Sequence, residues 1–313
     1  MAEPVRTRIT DMLGIEKPII QAAMGWIARS QLSSAFSNAG GMGIIETSSG
    51  ELDAVRDEII KMRDLTDKPF GVNVAQAFVR DPDIVQFVID QGIRFVTTSA
   101  GDPMRYTDML KSAGLTVFHV VPSLKGALRA IEAGVDGLIV EGGEGGGFKN
   151  PQDVASMVLI PLVCEKVDVP VVAAGGITDG RSMAAAFALG AEGVLMGTRV
   201  LSSAESPVHA NWKEAIISAE ATDTVFLNRS GPGPALRALR TKRTTRLQSE
   251  GTENIFGEFA GTQDVYFKGD LEAGIALTGQ VAGRINAVRP IRDILDETID
   301  EFRAVSAKIG AFA

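Results

Sequence analysis

Gly137-Leu-Ile-Val-Glu141 runs into the glycines of Gly142-Gly-Glu-Gly-Gly-Gly147, Pro170-Val-Val-Ala-Ala174 runs into Gly175-Gly-Ile-Thr-Asp-Gly180, and Gly193-Val-Leu-Met196 runs into Gly197-Thr-Arg199. Each is a short, unbroken apolar run that ends on small residues. Continuous runs of this kind fit parallel strands covered on both faces, whereas a half-solvated strand alternates. The same unit recurs toward the N-terminus, with strand candidates at Ile19–Met24, Met42–Glu46, Phe70–Ala75, Arg94–Ser99 and Thr116–Val121. That makes eight. Helical stretches lie between them: Leu52–Leu65, Met104–Ala113, Ser123–Ala133, Asp153–Val167 and Gly180–Leu189. Eight βα units predict an α/β fold, a closed (β/α)8 TIM barrel, rather than an open doubly wound sheet.

Beyond Leu201 the repeat stops. Residues 202–284 hold the breaker cluster Ser230-Gly-Pro-Gly-Pro, the basic stretch Arg237–Arg246 and helical patterns at Ala210–Ala219 and Ile275–Arg284. They predict a smaller, mainly helical cap inserted after the eighth strand. The domain plan is then a barrel over 1–201, a cap over 202–284, and residues 285–313, whose amphipathic helix Ile291–Ile309 packs back on the barrel. With 45% hydrophobic and 22% charged residues, the chain has material for a large core and is not a disordered chain. A net charge of −8 disfavours nucleic acid as a partner. The lone Cys164 allows no internal disulfide and no zinc spacing, so no metal is expected. No signal-peptide core or membrane-length apolar run is evident, so the expected setting is the cytoplasm without a membrane partner. A small-molecule substrate is the expected partner, with homo-oligomer formation left open.

In such a barrel, chemistry sits on the loops that follow the strands, and phosphate binds the loops after strands seven and eight. Gly175, Gly176 and Gly197 on those loops let backbone amides approach an anion. The five glycines between Gly142 and Gly147 are costly to order and point to a flat ligand against the backbone. Glu141 and Glu144 show no acid–base partner in sequence and read as hydrogen-bond acceptors or solvated charges. Cys164 reads as core.

Six segments, in order, resemble the nitronate monooxygenase family, also called 2-nitropropane dioxygenase: Ile19-Ile-Gln-Ala-Ala-Met-Gly-Trp26, Asn38-Ala-Gly-Gly-Met-Gly-Ile44, Lys68-Pro-Phe-Gly-Val-Asn73, Glu141–Gly147, Ala173–Gly176 and Met196-Gly-Thr-Arg199. The likeness spans about residues 5–285, and the relatives of that family include NAD(P)H:quinone reductases and flavin-dependent enoyl-ACP reductases. It implies noncovalent FMN at the barrel top, with NAD(P)H as a co-substrate option. By position, the phosphate falls to Ala174, Gly175, Gly176, Gly197 and Thr198. The isoalloxazine falls to Ala23, Met24 and Gly25, with Asn73 and Gly146 around it and Glu141 near the ribityl chain. Trp26 and Phe148 would wall the substrate pocket.

Two departures stand out. The base histidine of the family is Phe148 here, and a lysine of some members is Val120. No catalytic base is therefore assigned; of the two histidines, His119 on strand five is the candidate and His209 reads as the start of a cap helix. Trp212 reads as cap packing. The basic run Arg237, Arg240, Lys242, Arg243 and Arg246 could receive the phosphates of NADPH or of a coenzyme A thioester. The reading is an FMN-dependent oxidoreductase that oxidises nitronate-like substrates or passes electrons from NAD(P)H. The alternatives are an acyl-thioester reductase or dehydrogenase, a quinone reductase, a flavin-binding protein with little turnover, and a flavin-free sugar-phosphate isomerase.

Overall fold

In a computed structural model that describes residues 4–49, 52–231 and 233–312, the strands are β1 (Ile19–Gln21), β2 (Gly43–Glu46), β3 (Phe70–Ala75), β4 (Phe95–Ser99), β5 (Thr116–Val121), β6 (Gly137–Glu141), β7 (Gly147–Lys149), β8 (Val171–Ala174), β9 (Gly193–Met196), β10 (Thr224–Leu227) and β11 (Ala235–Leu239). The helices are α1 (Arg8–Leu13), α2 (Ser30–Asn38), α3 (Leu52–Leu65), α4 (Ile84–Asp90), α5 (Thr107–Ser112), α6 (Leu124–Glu132), α7 (Ser156–Cys164), α8 (Gly180–Ala188), α9 (Thr198–Leu201), α10 (Ala210–Ile217), α11 (Lys242–Glu250) and α12 (Ile291–Gly310). Residues 1–3 and 313, at the outer ends of the expected segments, and Pro232 in the breaker cluster lie outside the described residues.

The large sheet runs β1-β9-β8-β6-β5-β4-β3-β2, and every pairing in it is parallel. A parallel bridge between Ile20 and Met42 joins its two ends: Met42 N–H donates to Ile19 O (2.9 Å) and Gln21 N–H donates to Met42 O (3.0 Å). The sheet is thereby a (β/α)8 barrel. Its interior is filled by Ile20, Met42, Ile44, Phe95, Phe118, Ile139 and Val172, all buried. Val72, Val96, Val117, Leu138, Val171 and Val194 point outward into the helical layer, so the strands are apolar on both faces. Helices in the repeat end on left-handed glycines, such as Gly134 (φ +82°) after α6 and Gly190 (φ +103°) after α8. Their missing Cβ lets the chain reverse into the next strand.

Two expected helices come out differently. Met104–Ala113 is a 3-10 turn over Pro103–Arg105 followed by α5, because Pro103 and the Asp102 side chain, which accepts from Met104 N–H (3.0 Å), start the first turn and Tyr106 (φ −130°) interrupts it. Ile275–Arg284 is helical only as a 3-10 turn at Gln280–Arg284. Its first part is extended, with Leu239 N–H donating to Ala276 O (2.8 Å) and a bridge between Ala238 and Leu277.

Between β9 and α12 lie α9, α10 and α11 and the strands β10 and β11, which with β7 form a small antiparallel sheet ordered β10-β11-β7. The expected helical region thus also contains two strands. β7 follows the glycine run of the barrel, so the ladder joins Gly147–Lys149 to Ala235–Arg237, about 90 positions away. A pairing that distant leaves no local periodicity to read.

The C-terminal helix packs on the barrel, with Ile291, Ile294, Leu295 and Ile299 buried. Its closest approach is at Gly180, where an added Cβ would stand 2.2 Å from Phe302 N and 2.5 Å from Thr298 O. Glu301 seals this contact by accepting from Gly180 N–H (3.0 Å) and Arg181 Nε–H (2.8 Å). Gly180→Val should therefore lower unfolding free energy by about 2–3 kcal/mol, the cost of overpacking a fitted interface. Urea denaturation measures it, and an unchanged midpoint would show that α12 yields freely.

Candidate active site

A cavity of about 1090 Å³ lies at the C-terminal ends of the barrel strands, under the β10–β11 sheet and α10. It is at the upper end of the ~300–1,000 Å³ of ordinary small-ligand sites. Every residue expected in the site lines it: Ala23, Met24, Gly25, Trp26, Asn73, His119, Glu141, Gly146, Phe148, Ala174, Gly175, Gly176, Gly197 and Thr198.

The loop after β1 is held by a carboxylate that sequence reasoning missed. Glu46, at the end of β2 and 1% exposed, accepts from Trp26 N–H (3.1 Å), Ser48 N–H (2.8 Å), Ser49 N–H (3.1 Å) and both serine hydroxyls, and pairs with Arg29 (2.9 Å). A buried carboxylate is tolerable only when so completely satisfied. The network holds Trp26 at φ +60°, a left-handed conformation that costs a non-glycine residue about 1 kcal/mol or more. The signal available in sequence was a carboxylate closing an apolar strand at the barrel mouth. Above it, Trp26 meets Tyr266 edge-on (6.2 Å), and Tyr266 stacks on Trp212 (4.4 Å). Trp212 is fully buried as cap packing and also lines the cavity.

Asn73 sits within β3, and its Nδ2 donates to Thr97 O (3.2 Å), Thr97 Oγ1 (2.9 Å) and Ser99 Oγ (3.3 Å). Oδ1 is thus left as the acceptor. On the opposite rim, Thr198 Oγ1 accepts from Gly279 N–H (2.9 Å), so its own proton remains to be donated. Gly175 and Gly176 are both left-handed (φ +82° and +81°). At Gly175 a Cβ would stand 2.8 Å from Gly142 O, while Gly176 has no atom nearer than 3.5 Å.

The glycine run is bare for a reason other than the expected flat ligand. A Cβ at Gly142 would strike Glu144 Oε2 (2.3 Å) and Ser156 N (2.6 Å); at Gly143, Asp153 Oδ2 (2.5 Å); at Gly145, Glu141 Oε1 (2.5 Å) and Lys149 Nζ (2.7 Å); at Gly146, Gly279 N (2.7 Å). The protein's own atoms fill the space. Glu144 accepts from Ser156 N–H (3.0 Å) and Ser156 Oγ–H (2.8 Å), which caps α7, whose N-cap Ala155 has no acceptor side chain.

Phe148 stands in an aromatic wall with Phe259 (5.6 Å, stacked), Phe78 (4.9 Å) and Phe256 (6.5 Å). The basic run does not line the cavity. Arg237 is buried and donates to Gly143 O (2.7 Å), Arg243 pairs with Glu258 (2.6 Å), and Arg240 donates to Gln248 (3.3 Å). Lys242 and Arg246 are exposed elsewhere. None of the five therefore offers its charge to the cavity itself. His209 caps α10 by accepting from Asn211 N–H (3.1 Å), and burial pushes the Cys164 thiol up to about 11, so it is protonated at neutral pH.

His119 Nδ1 shares a hydrogen bond with Thr98 Oγ1 (2.7 Å), and burial lowers its pKa to about 4. The imidazole is neutral at pH 7. Below about 6.5 the unfolded chain binds a proton here that the folded chain refuses. Stability should therefore fall by on the order of 3 kcal/mol as pH drops from about 6.5 to 4. In His119→Asn that loss should be absent, which urea melts at pH 7 and pH 4.5 will show; an equally steep loss would refute the assignment.

The nitronate monooxygenase family model matches residues 6–84 and 74–301. A (3aS,4S,5R,7aS)-5-hydroxy-7a-methyl-1-oxo-octahydro-1H-indene-4-carboxyl-CoA dehydrogenase of Mycobacterium tuberculosis is 39% identical, over 78% of this chain and 69% of its own length. A probable nitronate monooxygenase of Staphylococcus saprophyticus is 32% identical, over 71% of this chain and 75% of its own. The solved structure of FabK from Thermotoga maritima superposes with a TM-score of 0.93 at 40% identity, over 99% of this chain and all of that one. No helix among the described residues is long and apolar enough to cross a membrane. With the barrel, the site and these likenesses in agreement, the chain belongs to the nitronate monooxygenase family and is a flavin-dependent oxidoreductase.

Proposed function

We propose that the cavity binds FMN and serves a reaction between NAD(P)H and an α,β-unsaturated acyl thioester, or its reverse. The observation that carries this reading is the aromatic wall at Phe148. Where a base would stand for removing a proton from a neutral nitroalkane, there is an apolar face suited to an acyl chain. The likeness to a protein named as a carboxyl-CoA dehydrogenase supports the same substrate class.

The residues present suit the cofactor. Gly176 N–H, in a left-handed turn, makes no hydrogen bond to another described residue, and Thr198 keeps a hydroxyl proton; both are donors a phosphate would take. Gly197 leaves room beside them, its Cβ position being 3.5 Å from the nearest atom. Ala23, Met24 and Gly25 offer backbone for a ring to lie against, Asn73 Oδ1 an acceptor for a ring N–H, and Gly146 and Glu141 the far edge. No dinucleotide fingerprint follows a first strand, which favours FMN over FAD. Bound there, FMN would supply the hydride chemistry that no side chain can. Trp26, Tyr266 and Phe148 exclude water, and neutral His119 offers a hydrogen bond rather than a charge.

Mass analysis of the released flavin should give FMN; FAD, or no flavin, would overturn the assignment. Gly176→Asp should abolish flavin retention, since a carboxylate beside Glu144 would repel the phosphate. Gly176→Ala carries the same backbone strain without the charge and should keep more.

A second reading, oxidation of a preformed nitronate, is favoured by the family match and needs no base at residue 148. If the protein takes nitro compounds, the nitronate should react at least ~10²-fold faster than the parent nitroalkane at neutral pH, the usual contribution of a general base. Steady-state rates with a nitronate, a nitroalkane and an enoyl-CoA rank the readings. A nitronate-only enzyme would displace the acyl-thioester proposal.

A further inference from the structure

β7 alternates, so its neighbours Phe148 and Lys149 leave the strand on opposite sides. Phe148 enters the aromatic wall. Lys149 turns back over the glycine run, and its side chain is only 3% exposed while still lining the cavity. Its ammonium pairs with Glu141, at the end of β6. An ammonium has three donors, and Glu141 is the one partner it meets among the described residues, which leaves two N–H groups without a protein acceptor. The bare backbone of Gly145 is what admits the pair, since any Cβ there would overlap both charged groups.

The ionisable groups beside the pair are committed, and Lys125 stands exposed at the cavity rim. Glu144 holds Ser156, Asp153 pairs with Arg229 (3.0 Å) and lies 3.8 Å from Arg237, and Arg237 is bound to Gly143 O. His119 is neutral and already bonded to Thr98. Burying a lysine with a single partner is expensive and not needed to hold a three-residue strand that already has its ladder.

We propose that Lys149, set against Glu141, is the group that gives a proton to, and takes one from, Cα of the acyl thioester. The proposal rests on the acyl-thioester reading above. In reduction, a hydride with its two electrons leaves NAD(P)H, which becomes NAD(P)⁺, and ends on Cβ. The Lys149 N–H bond breaks, and the former π electron pair takes that proton to form the Cα–H bond. The neutral amine regains a proton from solvent beside Glu141. Desaturation runs the same steps backward, with NAD(P)⁺ as the oxidant.

The test separates proton transfer from ion pairing. Holoprotein is incubated anaerobically with a saturated acyl-CoA in deuterated buffer without nicotinamide, and deuterium at Cα is read by mass spectrometry. Turnover of the enoyl-CoA with NAD(P)H is measured alongside. Lys149→Met and Lys149→Arg should both lose exchange and turnover by about 10²-fold or more, because general acid–base groups contribute about 10²–10⁴. Arginine keeps the charge and the pair but holds its proton too tightly to transfer it. Lys149→Arg with normal exchange and turnover would show that the pair is a fastener and overturn the proposal. So would a Lys149→Arg protein that loses flavin or melts early, read by absorbance and circular dichroism. A wild-type protein that neither exchanges nor reduces any acyl thioester brings down the acyl-thioester reading itself, a result distinct from either.

Discussion

The close approach of protein atoms to the bare backbone of residues 142–147 is the constraint on which the rest of the site depends. Side chains from β6, β7 and the loop before α7, together with the backbone at Ser156 and Gly279, meet on six residues that carry almost no side chains. A methyl group at Gly142, Gly143, Gly145 or Gly146 would overlap an atom at 2.7 Å or less. The ordering entropy of five glycines is offset by what they admit: a cap for α7 from Glu144, the Arg237 bond to Gly143 O, and the Glu141–Lys149 pair. Through β7 the same segment carries the β10–β11 sheet, so the roof of the cavity hangs from the loop that forms its edge.

The opposite side of the mouth uses charge rather than bare backbone. Glu46 collects backbone and side-chain donors from residues 26–49 and holds Trp26 in a strained conformation. Each bond there is individually modest, but a buried carboxylate that lost any of them would keep its desolvation cost. The two sides therefore resist displacement for different reasons, steric on one and electrostatic on the other. Between them lies a floor of small residues flanked by aromatic walls. Such a surface can bind and orient a flat ring while excluding water, with the hard redox chemistry left to the flavin.

The eight strands were legible because each is apolar on both faces over a few residues, and that is a local signal. Glycine caps such as Gly134 and Gly190, and the left-handed turn at Gly175 and Gly176, were legible for the same reason: backbone geometry selects the residue. The Glu46 network was legible only in part, since Ser48 and Ser49 are its neighbours in sequence but Trp26 and Arg29 are brought to it by the fold. The cap sheet was not legible, since its middle strand Ala235–Leu239 contains a buried arginine and pairs with a partner far along the chain.

Sequence by itself determined the barrel, the order of its units and the glycine loops at its mouth, because periodicity and turn chemistry are properties of neighbouring positions; that residue 148 takes the place of a histidine came only from the family resemblance. Tertiary structure alone decided which charges are spent. It turned Arg237 inward, bound Glu144 to the start of α7, left His119 neutral, and set Lys149 against Glu141 inside the cavity. Those outcomes depend on burial and on partners between eight and ninety-four positions away, and neither is written in the residues themselves.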